Sequence, residues 1–377
     1  MKLTLARDAL AGALAQITRI VERRNTIPIL GNVLLRAADS RLSLTGTDLD
    51  VEVATSIACD VVRPGAATVQ ATALHDIAKK LAGSEVALEV TDESTQPLVI
   101  RSGRSRFKLP TLPDADFPSL AAPEADVISV PAKALAGLID QVSFAISTEE
   151  TRYYLNGIYL HITQVDGTPW LTGVATDGHR LAQRRLAAPE GHERWPEPGI
   201  IVPRKAVAEL AKLLPTVGDG PARLVVSPTK LQVQMGDTRL VTKLVDGTYP
   251  DYSRVIPAPG AATRVTMDRK DLIAATARVT TVSSDRGRAV KFSFEEEASR
   301  AVLSVTNPDA GAATDEIETT HAGPPLQIGF NGAYVGDVAG ALSTDTITLE
   351  MADPGAPARI IAEGDVTAVF VLMPMRV

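Results

Sequence analysis

The sequence predicts an α+β fold with mostly antiparallel sheets, organised as three similar domains. Apolar residues alternate with polar ones over many short stretches: Leu42/Leu44, Leu49/Val51/Val53, Val86/Leu88/Val90, Leu231/Val233/Met235 and Ile347/Leu349/Met351. A period of two marks strands with one buried face. Helical stripes are fewer, and no long βαβ series occurs, which disfavours a parallel sheet. The domain count comes from similar openings that recur along 377 residues, a length that divides almost evenly by three.

The first opening, residues 1–21 (MKLTLARDALAGALAQITRIV), is echoed at 127–142 (VISVPAKALAGLIDQV) and 264–279 (RVTMDRKDLIAATARV). Each is a short alternating run, a polar break, then an apolar stripe at helical spacing. Leu10, Leu14 and Ile17 share one face, as do Leu135, Ile139 and Val142; Leu10 corresponds to Leu135 and Leu272. A second helix recurs after Val69, Val202 and Phe330. Its stripes are Leu74/Ile77/Leu81, Val207/Leu210/Leu214 and Val335/Val338/Leu342. One-sided stripes predict helices that lie on sheets with the other face wet. Turn signals at Thr45-Gly46-Thr47, Ser102-Gly103, Met235-Gly236-Asp237 and Asp353-Pro354-Gly355 separate the strands. Proline-rich closing segments at 110–124 and 244–261 carry Phe117-Pro118 and Tyr249-Pro250 in comparable places. They put the domains at 1–125, 126–258 and 259–377, each with two strand–helix half-units.

Composition narrows the function. The net charge of -7 argues against a protein that is basic all over and wraps nucleic acid by charge alone. One cysteine, Cys59, excludes an internal disulfide framework, and five histidines form no ligand motif. No apolar run approaches a membrane span, and the start reads as a strand, so a cytoplasmic address is expected. Basic residues nevertheless gather near the helices: Lys79, Lys80, Arg204, Lys205, Lys212, Arg278 and the Arg286/Arg288/Lys291 group. They make either a phosphate-neutralising wall or ordinary solvated helix faces.

Three strings invite chemistry. TDGHRLA (176–182) offers Asp177 and His179 as acid–base candidates, but no motif ties a nucleophile to them; a polar turn is the plainer reading. RSGRSRFKL (101–109) reads as a hairpin, with Arg104, Arg106 and Lys108 on one strand face that is either solvated or phosphate-facing. TAVFVLM (367–373) is an apolar strand, and PMRV after it carries Met375 beside a strand-stopping Pro374. That ending suits either a final core strand or a peptide-docking edge. No phosphate-binding glycine motif is present, so nucleotide binding has no support.

Longer strings carry a resemblance. TIPILGNVLL (26–35), LSLTGTDLD (42–50), SGRSRFKLPTLPDADFP (102–118), RYYLNGIYL (152–160), VATDGHRLA (174–182), IVPRK (201–205), KLVDGTYPDYSRV (243–255) and VLMPMR (371–376) run in order through all three domains. Together they resemble the bacterial DNA sliding clamps, the beta subunits of the replicative DNA polymerase III. The resemblance implies three clamp domains per chain, each with outer antiparallel sheets and two inward-facing helices, in a head-to-tail homodimeric ring. Such a ring encircles duplex DNA, catalyses nothing, needs no cofactor or metal, and tethers the replicative polymerase catalytic subunit.

The resemblance also implies residues. DNA contacts carried over are Arg24, Tyr153, Tyr154, Arg204 and Lys205; charge adds Lys79, Lys80, Arg278 and the Arg286/Arg288/Lys291 cluster. One of the two tyrosines is equally a packing residue. A peptide groove is implied at Leu155, Thr176, Gly178, His179, Arg180, Leu181, Pro250, Arg254, Val255, Asn331 and Tyr334. Val371, Leu372, Met373, Pro374, Met375 and Arg376 complete it. Expected partners are polymerases, an ATP-dependent clamp loader, ligase and mismatch-repair proteins, with no membrane. This sequence departs from the family pattern at Asn25, at Val377 and at Gly287, where an aromatic groove residue is replaced. Two other classes stay open: an enzyme using Asp177 and His179, and a non-replicative peptide scaffold.

Overall fold

In a computed structural model of the chain, the described residues are 1–22, 26–90, 96–283, 289–295 and 299–377. Arg24, Asn25, Arg286, Gly287 and Arg288 lie outside them. Among the described residues, a strand runs directly into an α-helix six times. Lys2–Ala6 leads into α1 (Arg7–Ile17), Gly65–Gln70 into α2 (Ala71–Lys80) and Val127–Pro131 into α3 (Ala132–Val142). Ile200–Pro203 leads into α4 (Arg204–Leu213), Thr263–Asp268 into α5 (Arg269–Val279) and Leu326–Asn331 into α6 (Gly332–Ala341). At α5 and α6 a polar residue makes the switch: Asp268 Oδ1 accepts from the Lys270 and Asp271 amides, and Asn331 Oδ1 accepts from Ala333. Each satisfies helix N–H groups that have no partner within the helix.

The chain forms two compact units, residues 1–133 with 208–244, and residues 134–207 with 245–377. In the first, a five-stranded sheet runs Asp60–Arg63, Lys2–Ala6, Glu85–Glu89, Leu98–Ser102, Ser105–Leu109. A nine-stranded sheet runs Thr111–Leu112, Gly65–Gln70, Asn32–Ala38, Arg41–Thr47, Val51–Ala58, Thr238–Lys243, Lys230–Met235, Pro221–Val226, Val127–Pro131. Every pairing is antiparallel. Helix α1 buries Leu10, Leu14 and Ile17 against Arg41–Thr47 and Val51–Ala58, and packs beside α2. On α2, Leu74 and Leu81 are buried as the stripe predicts, while Ile77 is only half-buried and Ala78 takes its place in the core.

The pairing of Val51–Ala58 with Thr238–Lys243 makes one sheet from segments far apart in sequence. Glu52, buried beside that seam, accepts from the Leu120 amide at 2.9 Å and from Arg239 at 3.1 Å. A buried carboxylate is tolerable only when paired in this way.

The second unit holds a twelve-stranded antiparallel sheet: Ile200–Pro203, Gly157–Val165, Thr168–Thr176, Arg180–Ala187, Ala368–Leu372, Ala358–Ala362, Thr346–Met351, Thr263–Asp268, Gly311–Ala322, Arg300–Asn307, Ala289–Phe294, Leu326–Asn331. Its own long-range seam is Arg180–Ala187 against Ala368–Leu372. Helices α5 and α6 pack on each other and on this sheet. The apolar tail strand is fully buried, so the final-strand reading of 368–372 holds.

Three local expectations are corrected. Thr45-Gly46-Thr47 is not a turn but the end of the strand Arg41–Thr47. Gly46 is there because a Cβ would come within 2.5 Å of Ile17 Cγ2; α1 lies too close for any side chain. Leu49 is not in a strand but in a turn at φ +80°, exposed, and the strand begins at Val51. The hairpin at 101–109 is real, yet Arg104 sits in its turn, and residues 105–108 of the second strand are all exposed. That strand ends its sheet and has no dry face.

Candidate functional site

The TDGHRLA string is the turn between Thr168–Thr176 and Arg180–Ala187. Asp177 Oδ1 accepts from the His179 and Arg180 amides at 2.9 and 3.0 Å, and Oδ2 accepts from Arg180 Nε at 3.1 Å. Thr176 Oγ1 donates to the Arg180 carbonyl and accepts from the Gly178 amide. Gly178 sits at φ +87°, with Arg152 Nη1 2.7 Å from where a Cβ would be. The carboxylate is thus occupied in building the turn and is not aimed at His179 as a catalytic partner.

Arg180 is the hub. Its guanidinium also pairs with Asp337 of α6, donates to the Phe144 carbonyl at 2.7 Å, and lies 4.3 Å from the Tyr334 ring centroid and 5.2 Å from that of Phe144. The His179 ring stacks on Tyr334 at 6.2 Å. The His179 carbonyl accepts from the Met373 amide at 2.9 Å, and the Met375 amide donates to the Gly329 carbonyl at 2.8 Å. These bonds lay the 373–375 segment between the turn and the strand that carries Asn331.

Below the turn is an apolar cluster of Leu155, Val174, Leu181, Ile201, Tyr249 and Val371, flanked by Tyr154, Tyr159, Val245, Tyr252 and Ile256. The residues expected to form a peptide groove divide by burial. Leu155, Leu181, Val371 and Leu372 form a buried floor; Thr176, Arg180, Asn331, Tyr334, Pro374 and Met375 are half-buried. Gly178, His179, Pro250, Arg254, Val255, Met373 and Arg376 are exposed. Arg254 is turned to Asp251 at 2.8 Å. Sequence reasoning missed Asp337, Phe144 and Tyr249. Nothing local marks the first two, because each acts on Arg180 from a different part of the chain.

Aromatic rings stiffen the floor. Tyr159 stacks on Tyr249 at 4.8 Å and on His161 at 4.4 Å, and His161 Nε2 lies 3.0 Å from the Tyr252 hydroxyl. Burial pushes His161 down to about 4 and Tyr252 up to about 12, and it raises Tyr249 further.

The basic candidates are distributed differently. Lys79 and Lys80 are exposed on the last turn of α2, where cations suit the helix dipole. Arg204 and Lys205 open α4, where the dipole disfavours them, so helix stability does not explain their presence. Arg278 is exposed but paired with Asp315 at 2.5 Å. Tyr153 is 53% exposed, while Tyr154 packs on the cluster, its ring edge-on to Tyr153. Among the described residues no group of three His, Cys, Asp or Glu side chains is placed to hold a metal ion, and no helix is long and apolar enough to cross a membrane.

Comparison with known proteins bears on this arrangement. Family descriptions of the DNA polymerase III beta subunit match in series: the N-terminal domain at 1–121, the central domain at 129–251 and the C-terminal domain at 253–376. The chain belongs to the DNA polymerase III beta subunit family. It is 43% identical to the beta sliding clamp of Caulobacter vibrioides and 37% identical to that of Escherichia coli, over all of both chains in each case. A Bartonella birtlesii sliding clamp solved with griselimycin superposes with a TM-score of 0.94 at 45% identity, covering all of both chains. A Caulobacter crescentus clamp gives 0.91 at 43%, again over all of both chains. Members of the beta subunit family are sliding clamps, processivity factors with no catalysis of their own. The enzyme reading of Asp177 and His179 is therefore set aside.

Proposed function

We propose that this chain is the protomer of a ring that encircles duplex DNA and keeps the replicative polymerase attached to it. Two copies join head to tail, and the domains at 1–125, 126–258 and 259–377 each turn two helices toward the hole.

The observation that carries ring closure is a pair of strand edges with opposite charge. In the first unit, Ser105–Leu109 ends its sheet and carries Arg106 and Lys108, with Arg104 in the adjoining turn and Phe107 38% exposed. In the second, residues 311–318 pair with Arg300–Asn307 and carry Asp315, Glu316 and Glu318. Unpaired edges seek strands, and opposite charge sets which edge meets which.

The hole is lined by Arg24, Tyr153, Tyr154, Arg204, Lys205, Lys79, Lys80 and Arg278. The basic groups among them neutralise phosphates without reading bases, Arg278 by exchanging its Asp315 partner for a phosphate, so the ring slides while the acidic remainder of the chain repels stray DNA. The groove over the Leu155, Leu181 and Val371 floor takes linear peptides of the polymerase catalytic subunit, other clamp-binding polymerases, ligase and mismatch-repair proteins. An ATP-dependent loader opens the ring. The protein works in the cytoplasm, on the nucleoid, with no cofactor.

The test is topological. Protein loaded on nicked circular DNA with its loader is expected to stay on the circle and to run off once the circle is linearised. Loss at the same rate from both forms overturns the ring.

A further inference from the structure

A cavity of about 670 Å³ lies beside the 374–377 segment in the second unit. Lys291, Gln327, Gly329, Pro374, Met375 and Arg376 are among the residues that line it. Its side-chain charge is positive, and the backbone carboxylate of Val377 is the one anionic group among its lining residues. Lys291 and Arg376 both face it, none of its lining side chains is an acid, and among the described residues neither cation has a carboxylate partner. Its wall is also a sheet edge, because Leu326–Asn331 ends the twelve-stranded sheet. The Gly329 carbonyl points off that edge and is taken by the Met375 amide. Backbone polarity repeats every two residues in a strand, so the Gln327 amide and carbonyl point the same way. Lys291 stands opposite Gly329 on the neighbouring strand, next to these groups.

We propose that this cavity is a subsite for an acidic residue that flanks the apolar core of a bound linear peptide. The inference rests on the groove reading above and extends it. Pro374, Met375 and Arg376 belong to both, so a peptide leaving the groove along this segment enters the cavity directly. Its carboxylate meets Lys291 and Arg376, and its backbone adds to the edge at Gln327. A cation pair beside an open strand edge fits an extended Asp- or Glu-bearing segment and rejects a basic one.

The experiment uses the full-length protein and fluorescein-labelled peptides with an alternating Leu core, extended at either end by Asp-Glu, Ser-Ser or Lys-Lys. Fluorescence anisotropy at low salt is expected to show about fivefold tighter binding of one Asp-Glu form than of its Ser-Ser counterpart. That preference shrinks toward unity at high salt. Lys291→Glu is expected to reverse it in favour of Lys-Lys, with circular dichroism confirming the fold. The salt series on unaltered protein stands even if that variant fails to fold. Equal, salt-independent binding of all three extensions overturns the subsite and leaves the groove standing. Failure of every peptide to bind overturns both.

Discussion

At the scale of single residues, the proposed groove is organised by side chains whose partners are remote in sequence. Arg180 reads locally as one more basic residue in a polar string, yet it joins Asp177, Phe144 and Asp337 across 36 and 157 residues. Tyr249 shows a different kind of constraint. Its hydroxyl is buried beside the Thr176 backbone, and among the described residues no group meets it with full hydrogen-bond geometry. A buried polar atom left unsatisfied costs roughly 1–3 kcal/mol. Tyr249→Phe is therefore expected to leave stability unchanged or raise it by up to about 1 kcal/mol, read from urea unfolding. A loss of about 2 kcal/mol would mean that the hydroxyl holds the 176–181 turn. Gly46 carries the same lesson from the other side: a glycine between two threonines reads as a turn, and only the approach of Ile17 reveals why nothing larger fits.

At the scale of elements, the strand–helix steps were legible because local periodicity encodes them. Among the described residues each of six α-helices follows directly on a strand, and the stripes from Leu10 to Leu342 are almost all buried. Periodicity is weaker at edges, where neither face is dry; hence the misreading of 104–108. The strand Gly157–Val165 adds a titratable feature. His161, stacked on Tyr159, is held to about 4 in the folded chain against an ordinary value of 6.5. The folded state therefore takes up its proton later than the unfolded state as pH falls. The stability contributed is fully present above pH 6.5 and is lost between 6.5 and about 4. The loss is about 3 kcal/mol, an order of magnitude from the size of the shift. Unfolding free energies measured across that range should fall for the natural sequence and fall less for His161→Phe. Parallel slopes would remove His161 as the cause.

At the scale of the whole molecule, the net charge of -7 conceals a division of labour among basic residues. Some open helices, such as Arg204 and Lys205; others gather at a sheet edge, such as Arg106 and Lys108. Reversing the edge charge with Arg104→Glu and Arg106→Glu is expected to shift sedimentation from the proposed dimer to monomer. Adding Glu316→Lys and Glu318→Lys to the same chain should restore the dimer. Rescue is expected to be partial, because Glu316 already meets Arg300 within the chain. A dimer indifferent to both sets of changes would place the contact elsewhere.

The sequence by itself determined the class, the threefold repetition, the six helices and the strings that place the chain in its family. All of these rest on local pattern, which survives in any correct fold. The tertiary structure alone decided which edges meet. Val51–Ala58 accepts Thr238–Lys243, and Arg180–Ala187 accepts Ala368–Leu372, so the middle third of the chain is divided between two compact units. Backbone hydrogen bonds give any edge the same donors and acceptors, and no local sequence names the partner. The three repeats seen in the sequence and the two units formed by contact are the same chain, cut once by local pattern and once by pairing.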